Sequence, residues 1–179
     1  MKRISHWIDG AVVEGTSGRT APVFNPATGQ AQAEVDLASV DEVDRAVAAA
    51  RAAQKAWGAT ALSRRSEVMF HLRDLVDGNR KEIAALLTAE HGKVESDALG
   101  EVARGLENIE FATGIPHLLK GGYSEQVSSG VDVYSIRQPL GVVAGITPFN
   151  FPAMVPLWMF PIASPVATPS SSSPRRRCR

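Results

Sequence analysis

The sequence predicts an α/β protein, in which short strands at the amino-terminal end and across residues 123–147 flank four amphipathic helices. Three observations carry this. Gly141 to Thr147 (GVVAGIT) is an apolar run rich in β-branched residues, the pattern of a strand buried on both faces of a parallel sheet, and a turn and a Pro-bearing helix follow at once. Between residues 39 and 116, apolar side chains recur at helical spacing. Ile4 to Val13 and Val131 to Gln138 alternate apolar with polar, the period of a strand with one buried face.

Taken in order, Ile4 to Val13 suggests a hairpin turning at Asp9-Gly10, and Val23 to Gly29 (VFNPATG) a strand running into a turn. Ser39 with Glu42 forms a capping box ahead of Val43, Ala46, Val47, Ala50, Ala53 and Trp57, a helix of about four turns. Leu62 to Val76 and Glu82 to His91 give two more helices, the second stopped by Gly92. Glu95 to Pro116 is a long fourth helix, and Val131 to Gln138 (VDVYSIRQ) follows the Gly121-Gly122 break as a strand. After Gly141 to Thr147, Pro148 and Asn150 suit a turn, and Pro152 suits the first turn of a helix carrying Met154, Val155, Leu157 and Trp158. The predicted organisation is 1–122, a hairpin and helices; 123–140, arm strands; 141–163, a strand and helix; and 164–179, a disordered tail.

Two polar residues stand out. In an open α/β sheet ligands sit at the carboxyl ends of strands, so Asn150 is placed to aim amide donors into a crevice, or else to bond its own turn. Arg104 lies among Val102, Leu106, Ile109 and Phe111, where a charge needs a partner. That partner is a carboxylate ligand or, more plainly, an i,i+3 contact with Glu101 or Glu107. Phe151, Val155 and Trp158 share a helix with core residues and read equally as packing.

The text ITPFNFP, with NPATG and EHGK upstream, resembles the signature of the NAD-dependent aldehyde dehydrogenase superfamily. GEVARGLENIEFATGIPHLLKG, VYSIRQPLGVV and PFNFPAMVPLWMFPIA resemble its CoA-acylating branch, the methylmalonate-semialdehyde dehydrogenases, and the likeness extends from residue 4 to 163. The resemblance implies the amino-terminal part of that fold: a partial NAD-binding domain with flanking helices and part of an oligomerisation arm. It implies that Asn150 donates to the oxyanion of the reacting carbonyl and that Ile146, Thr147, Pro148 and Phe149 pack beside NAD. By the same likeness Phe151, Val155 and Trp158 face the aldehyde tunnel and Arg104 reaches the substrate carboxylate. The substrates implied are a malonate or methylmalonate semialdehyde and CoA, with NAD as cofactor and a homo-oligomer, dimer or tetramer, as the assembled form.

Past Ala163 the likeness stops, where the family pattern implies a strand close to GNTFVLKPSE. Back-translated with one permissible codon set and read two bases on, Ser164 to Arg179 spells AGGNTFVLKPSEKVP, so a frameshift is expected there. The tail holds the sole cysteine, Cys178, among four arginines; with no positioned base it reads as an accident of the shifted frame. The family's nucleophile and the grips on the NAD ribose are then expected beyond the break, and the chain as written is expected to be inactive. The alternative is a non-catalytic fragment docking onto full-length subunits through the arm strand.

Composition is that of an ordinary globular protein, 44% hydrophobic and 21% charged, with formal net charge zero. The tail contributes four of the 19 basic residues and none of the 19 acidic ones, leaving 1–163 at −4. That body gives no support to nucleic-acid binding. No membrane-length apolar stretch and no signal peptide is read, so a cytoplasmic location is expected. The four histidines lack ligand spacing, so no metal is expected.

Overall fold

Two buried carboxylates organise the amino-terminal strands. In the computed structural model, which describes residues 1–166, β1 (Lys2–Ile4) pairs in parallel with β5 (Ala31–Asp36), and β4 (Thr20–Phe24) lies antiparallel on the other side of β5. β2 (His6–Ile8) and β3 (Ala11–Val13) form the expected hairpin. Its turn places Asp9 (φ 53°) and Gly10 (φ 74°) in the left-handed region, the geometry that lets a two-residue loop follow strand twist. β1 was not separable from that hairpin in the sequence. It leaves at Ser5 because Arg3 Nε (2.8 Å), Ser5 Oγ (2.9 Å) and Gly15 N (2.8 Å) all donate to the Asp36 carboxylate at the end of β5. The Gly15 amide, then Arg3, hold Asp36 well below the usual range, at about 2.

The capping box forms as read. Ser39 and Glu42 exchange bonds at the start of α1 (Val40–Ala59), and buried Glu42 also accepts from Thr16 N (2.7 Å) and Oγ1 (3.1 Å). These contacts, the Ser39 and Thr16 amides foremost, hold Glu42 at about 2. The apolar stripe predicted on α1 does not reach a core, however. Glu42 is the helix's one buried residue, while Val43 and Val47 are exposed.

α2 (Leu62–Gly78), α3 (Arg80–His91) and α4 (Glu95–Thr113) build the main core, where Val76, Ala84, Leu87, Ala98, Val102, Leu106 and Ile109 meet Leu157 of α6 (Met154–Val166). α3 stops at Gly92 in the left-handed conformation (φ 84°), as its sequence predicts. The fourth predicted helix breaks at Gly114 and resumes as α5 (Ile115–Leu118).

Three expectations are corrected. Gly141 to Thr147 is not a strand: among the described residues no strand runs beside it, and without ladder partners an apolar run has nothing to hold it extended. The arm is a hairpin of β6 (Tyr123–Ser128) and β7 (Val131–Tyr134), exposed on both faces and ending short of Gln138. α6 continues three residues past Ala163, into the segment read as disordered tail. Ser164 O accepts from Trp57 Nε1 and Pro165 O from buried Arg65 Nη1, both at 2.7 Å, so helix-end carbonyls are met by side chains of α1 and α2. The rest of the predicted tail, with Cys178, lies outside the described residues.

Candidate functional site

The site is built where α4 packs on α6. The two helices run the same way, since Glu101 meets the start of α6 and Asn108 meets Leu157 further on. Gly105 makes the approach close: a Cβ there would lie 2.6 Å from Leu157 Cδ1. Pro161 has no N–H to offer the Leu157 carbonyl one turn back, and Asn108 Nδ2 fills that place at 2.7 Å. A helix made from a Pro-rich text survives because α4 supplies the missing donor.

At the other end, α6 opens with amides that no helical turn can satisfy. Glu101 Oε1 accepts from Ala153 N (2.8 Å) and Met154 N (3.0 Å), and Glu101 Oε2 pairs with Lys93 Nζ. Lys93 in turn reaches the Asn150 carbonyl (3.4 Å) and stands 4.8 Å from the centre of the Phe151 ring. Burial pushes the Glu101 carboxyl up, but the Lys93 ammonium and the Met154 and Ala153 amides outweigh it and hold Glu101 below the ordinary glutamate range.

Asn150 sits on the turn so held. It is exposed, and its side chain makes no hydrogen bond among the described residues, so it is neither a cap nor a turn bond here. Arg104 occupies the same stripe of α4 as Glu101 and Asn108, at i+3 between them, and is also exposed. Neither Glu101 nor Glu107 pairs with it, and no other partner exists among the described residues. The plainer reading of Arg104 as a local ion pair is therefore not what the structure contains.

Met154, Leu157, Pro161 and Pro165 form the buried stripe of α6. Phe151 and Val155 are half-buried and Trp158 is exposed, so these three lie off that stripe. Ile146 and Phe149 are more than nine-tenths exposed, Pro148 is exposed and Thr147 half-buried. An apolar cavity of about 610 Å³ between Trp57, residues 141–145, Met159 and Phe160 contains none of the predicted site residues. Among the described residues no cluster of three metal-ligating side chains occurs, and no helix is long and apolar enough to cross a membrane.

Sequence reasoning missed Lys93, Glu101 and Asn108. Signals existed: Lys93 ends the EHGK text, and Glu101 falls on the buried stripe of α4 between Ala98 and Gly105, where a carboxylate must have partners.

Residues 12–168 match the aldehyde dehydrogenase family. The chain belongs to that family. It is 48% identical over 163 residues to malonate-semialdehyde dehydrogenase of Pseudomonas aeruginosa, a match covering 91% of this chain and 33% of the relative. A protein proposed to be a methylmalonate-semialdehyde dehydrogenase, from Sinorhizobium meliloti and solved with NAD, superimposes with a TM-score of 0.92 at 49% identity. Methylmalonate-semialdehyde dehydrogenase of Oceanimonas doudoroffii superimposes with 0.91 at 48%. Both structural matches cover 94% of this chain and 34% of the other. This aldehyde dehydrogenase chain thus spans about a third of the length of its curated relatives, and its fold is the amino-terminal portion of theirs.

Proposed function

We propose that this chain is the section of a NAD-dependent, CoA-acylating malonate- or methylmalonate-semialdehyde dehydrogenase that carries the oxyanion donor and a clamp for the substrate's carboxylate. One observation supports this above the rest: the Arg104 guanidinium and the Asn150 amide, each without a partner among the described residues, sit on the two elements that Glu101 ties together. A guanidinium fork suits a carboxylate, and an amide N–H suits the oxygen on which charge gathers as an aldehyde carbonyl is attacked. A substrate with an aldehyde at one end and a carboxylate at the other uses both. The relatives' names supply the same chemistry independently.

Exposed apolar Ile146, Pro148 and Phe149, with Thr147, fit one wall for a nicotinamide, which asks for contact more than charge. NAD when bound supplies the hydride acceptor. Asn150 steadies the carbonyl oxygen, Arg104 orients the substrate, and Phe151, Val155 and Trp158 keep water from its path. The whole enzyme would release acetyl-CoA or propionyl-CoA after loss of the carboxylate as CO₂, and would work as a homo-oligomer in the cytoplasm. The described residues contain no thiol, and we expect no turnover from the 179-residue chain alone. The β6–β7 hairpin leaves the outer edge of each strand unpaired among the described residues, but nothing there points to a partner for it, so the docking alternative gains no support.

The test begins with the DNA beyond the Ala163 codon. A downstream frame spelling GNTFVLKPSE is expected, and the chain extended in that frame should form NADH from malonate semialdehyde, NAD and CoA. There, Arg104→Gln should raise KM for the semialdehyde by about 10- to 100-fold, the loss of one charge-assisted contact, while sparing an uncharged aldehyde. NADH formation by the 179-residue chain, or equal losses on both aldehydes, would overturn the reading.

A further inference from the structure

The turn carrying Asn150 lacks the usual means of staying in place. Residues 141–149 before it form no ladder, and its own side chain bonds to nothing among the described residues. Besides the Val155 amide that bonds the Phe151 carbonyl, what grips it among the described residues is one ion pair. Glu101 takes the amides of Ala153 and Met154, and Lys93, one-tenth exposed, takes the carbonyl of Asn150 and faces the Phe151 ring. Lys93 belongs to the short link after Gly92 that ends α3, and Glu101 to the second turn of α4, so the turn's position is referred to two packed helices.

We infer that Lys93 and Glu101 are positioning residues for Asn150, a clamp that fixes the backbone from the Asn150 carbonyl to the Met154 amide while leaving the side-chain amide free for a ligand. This rests on reading Asn150 as the oxyanion donor. A buried ion pair is a poor way to gain stability, because removing two charges from water costs about as much as their attraction returns, and an apolar pair would hold the helices as well. What an apolar pair cannot do is direct two amides and a carbonyl at once. An oxyanion donor needs that direction, since its value depends on being placed before the charge arrives.

The experiment is NMR on the isotope-labelled 179-residue chain, with no substrate present. In the unaltered protein, the Ala153 and Met154 amides should exchange slowly, although first-turn amides ordinarily exchange fast, and the Asn150 backbone should have an order parameter of about 0.85. In Lys93→Met, that value should fall below about 0.6, while Val102 and Ile109 keep their shifts and exchange rates. Glu101→Gln should do the same at Asn150 and cut Ala153 and Met154 protection by about tenfold or more. An Asn150 that stays ordered in either folded variant overturns the clamp. Should the variants fail to fold, fast exchange of Ala153 and Met154 in the unaltered chain overturns it without them. Because no aldehyde is used, failure here leaves the carboxylate reading of Arg104 standing, and failure of that reading leaves the clamp standing.

Discussion

The Asn150 turn joins two stretches of similar apolar character that have opposite fates. After it, α6 buries Met154, Leu157, Pro161 and Pro165, and side chains of other helices meet its opening amides and several of its carbonyls: Glu101 takes the amides, Asn108 the carbonyl Pro161 leaves open, Trp57 and Arg65 the Ser164 and Pro165 carbonyls. Before it, Leu140, Val143, Ile146 and Phe149 stand in solvent with no ladder beside them. Apolar content does not separate the two. What separates them is whether the residues that complete them are among those described, as α4 is for α6 and no strand is for 141–147. Apolar surface left open to this extent marks a contact face.

Filling the space at Gly105 gives the largest effect on the first side. Gly105→Val would set side-chain atoms inside the contact with Leu157, where even a Cβ meets Cδ1 at 2.6 Å and Cβ at 3.2 Å. We expect a loss of about 3 kcal/mol in denaturant unfolding, at the upper end of overpacking costs. A loss under about 0.5 kcal/mol would mean that the α4–α6 contact is loose and that the contrast with 141–149 is weaker than drawn.

Acid should release the amino-terminal strands next, a region that, like α6, is completed by residues of the described chain. Asp36 and Glu42 lie at about 2 in the folded chain, against ordinary values of 3.8 and 4.5. Because their folded values are depressed, their contribution is fully present above about pH 4.5 and drains away as pH falls toward 2. Circular dichroism against pH should show a transition in that window, and the double variant Asp36→Asn, Glu42→Gln should flatten it. An unchanged transition in the variant would place the acid sensitivity elsewhere.

The same contrast explains what could be read in advance. Helices α1 to α4, the capping box, the Gly92 stop and the Asp9-Gly10 turn depend on neighbours within a few residues, and local pattern announces those. β1 and β5 were not legible, because Ala31–Asp36 (AQAEVD) has little strand propensity and is held by Asp36 bonding to Arg3, Ser5 and Gly15, far off in the chain. Gly141 to Thr147 failed in the opposite sense, its local pattern naming a strand whose partners local pattern cannot supply. At the site, Asn150 and Arg104 were visible as residues out of place; Lys93, Glu101 and Asn108 act on backbone groups about 50 residues away in sequence, and no spacing rule links them.

The smallest effect expected is the one that tests the second side directly. Ile146 is 93% exposed and Phe149 92%. In the described chain their rings and methyls shield nothing, so Ile146→Ser and Phe149→Ser should each change unfolding free energy by less than about 0.5 kcal/mol, although deleting side chains of that size from a core costs several times more. The same substitutions should lower the tendency to self-associate, because they remove apolar surface from a face with no cover. Light scattering during a thermal ramp would read both at once: an unchanged midpoint with a later rise in scattering keeps the contrast between the two sides of the turn. A lowered midpoint would show that Ile146 or Phe149 packs against the chain in solution, and the exposure of these residues would then cease to distinguish their segment from α6.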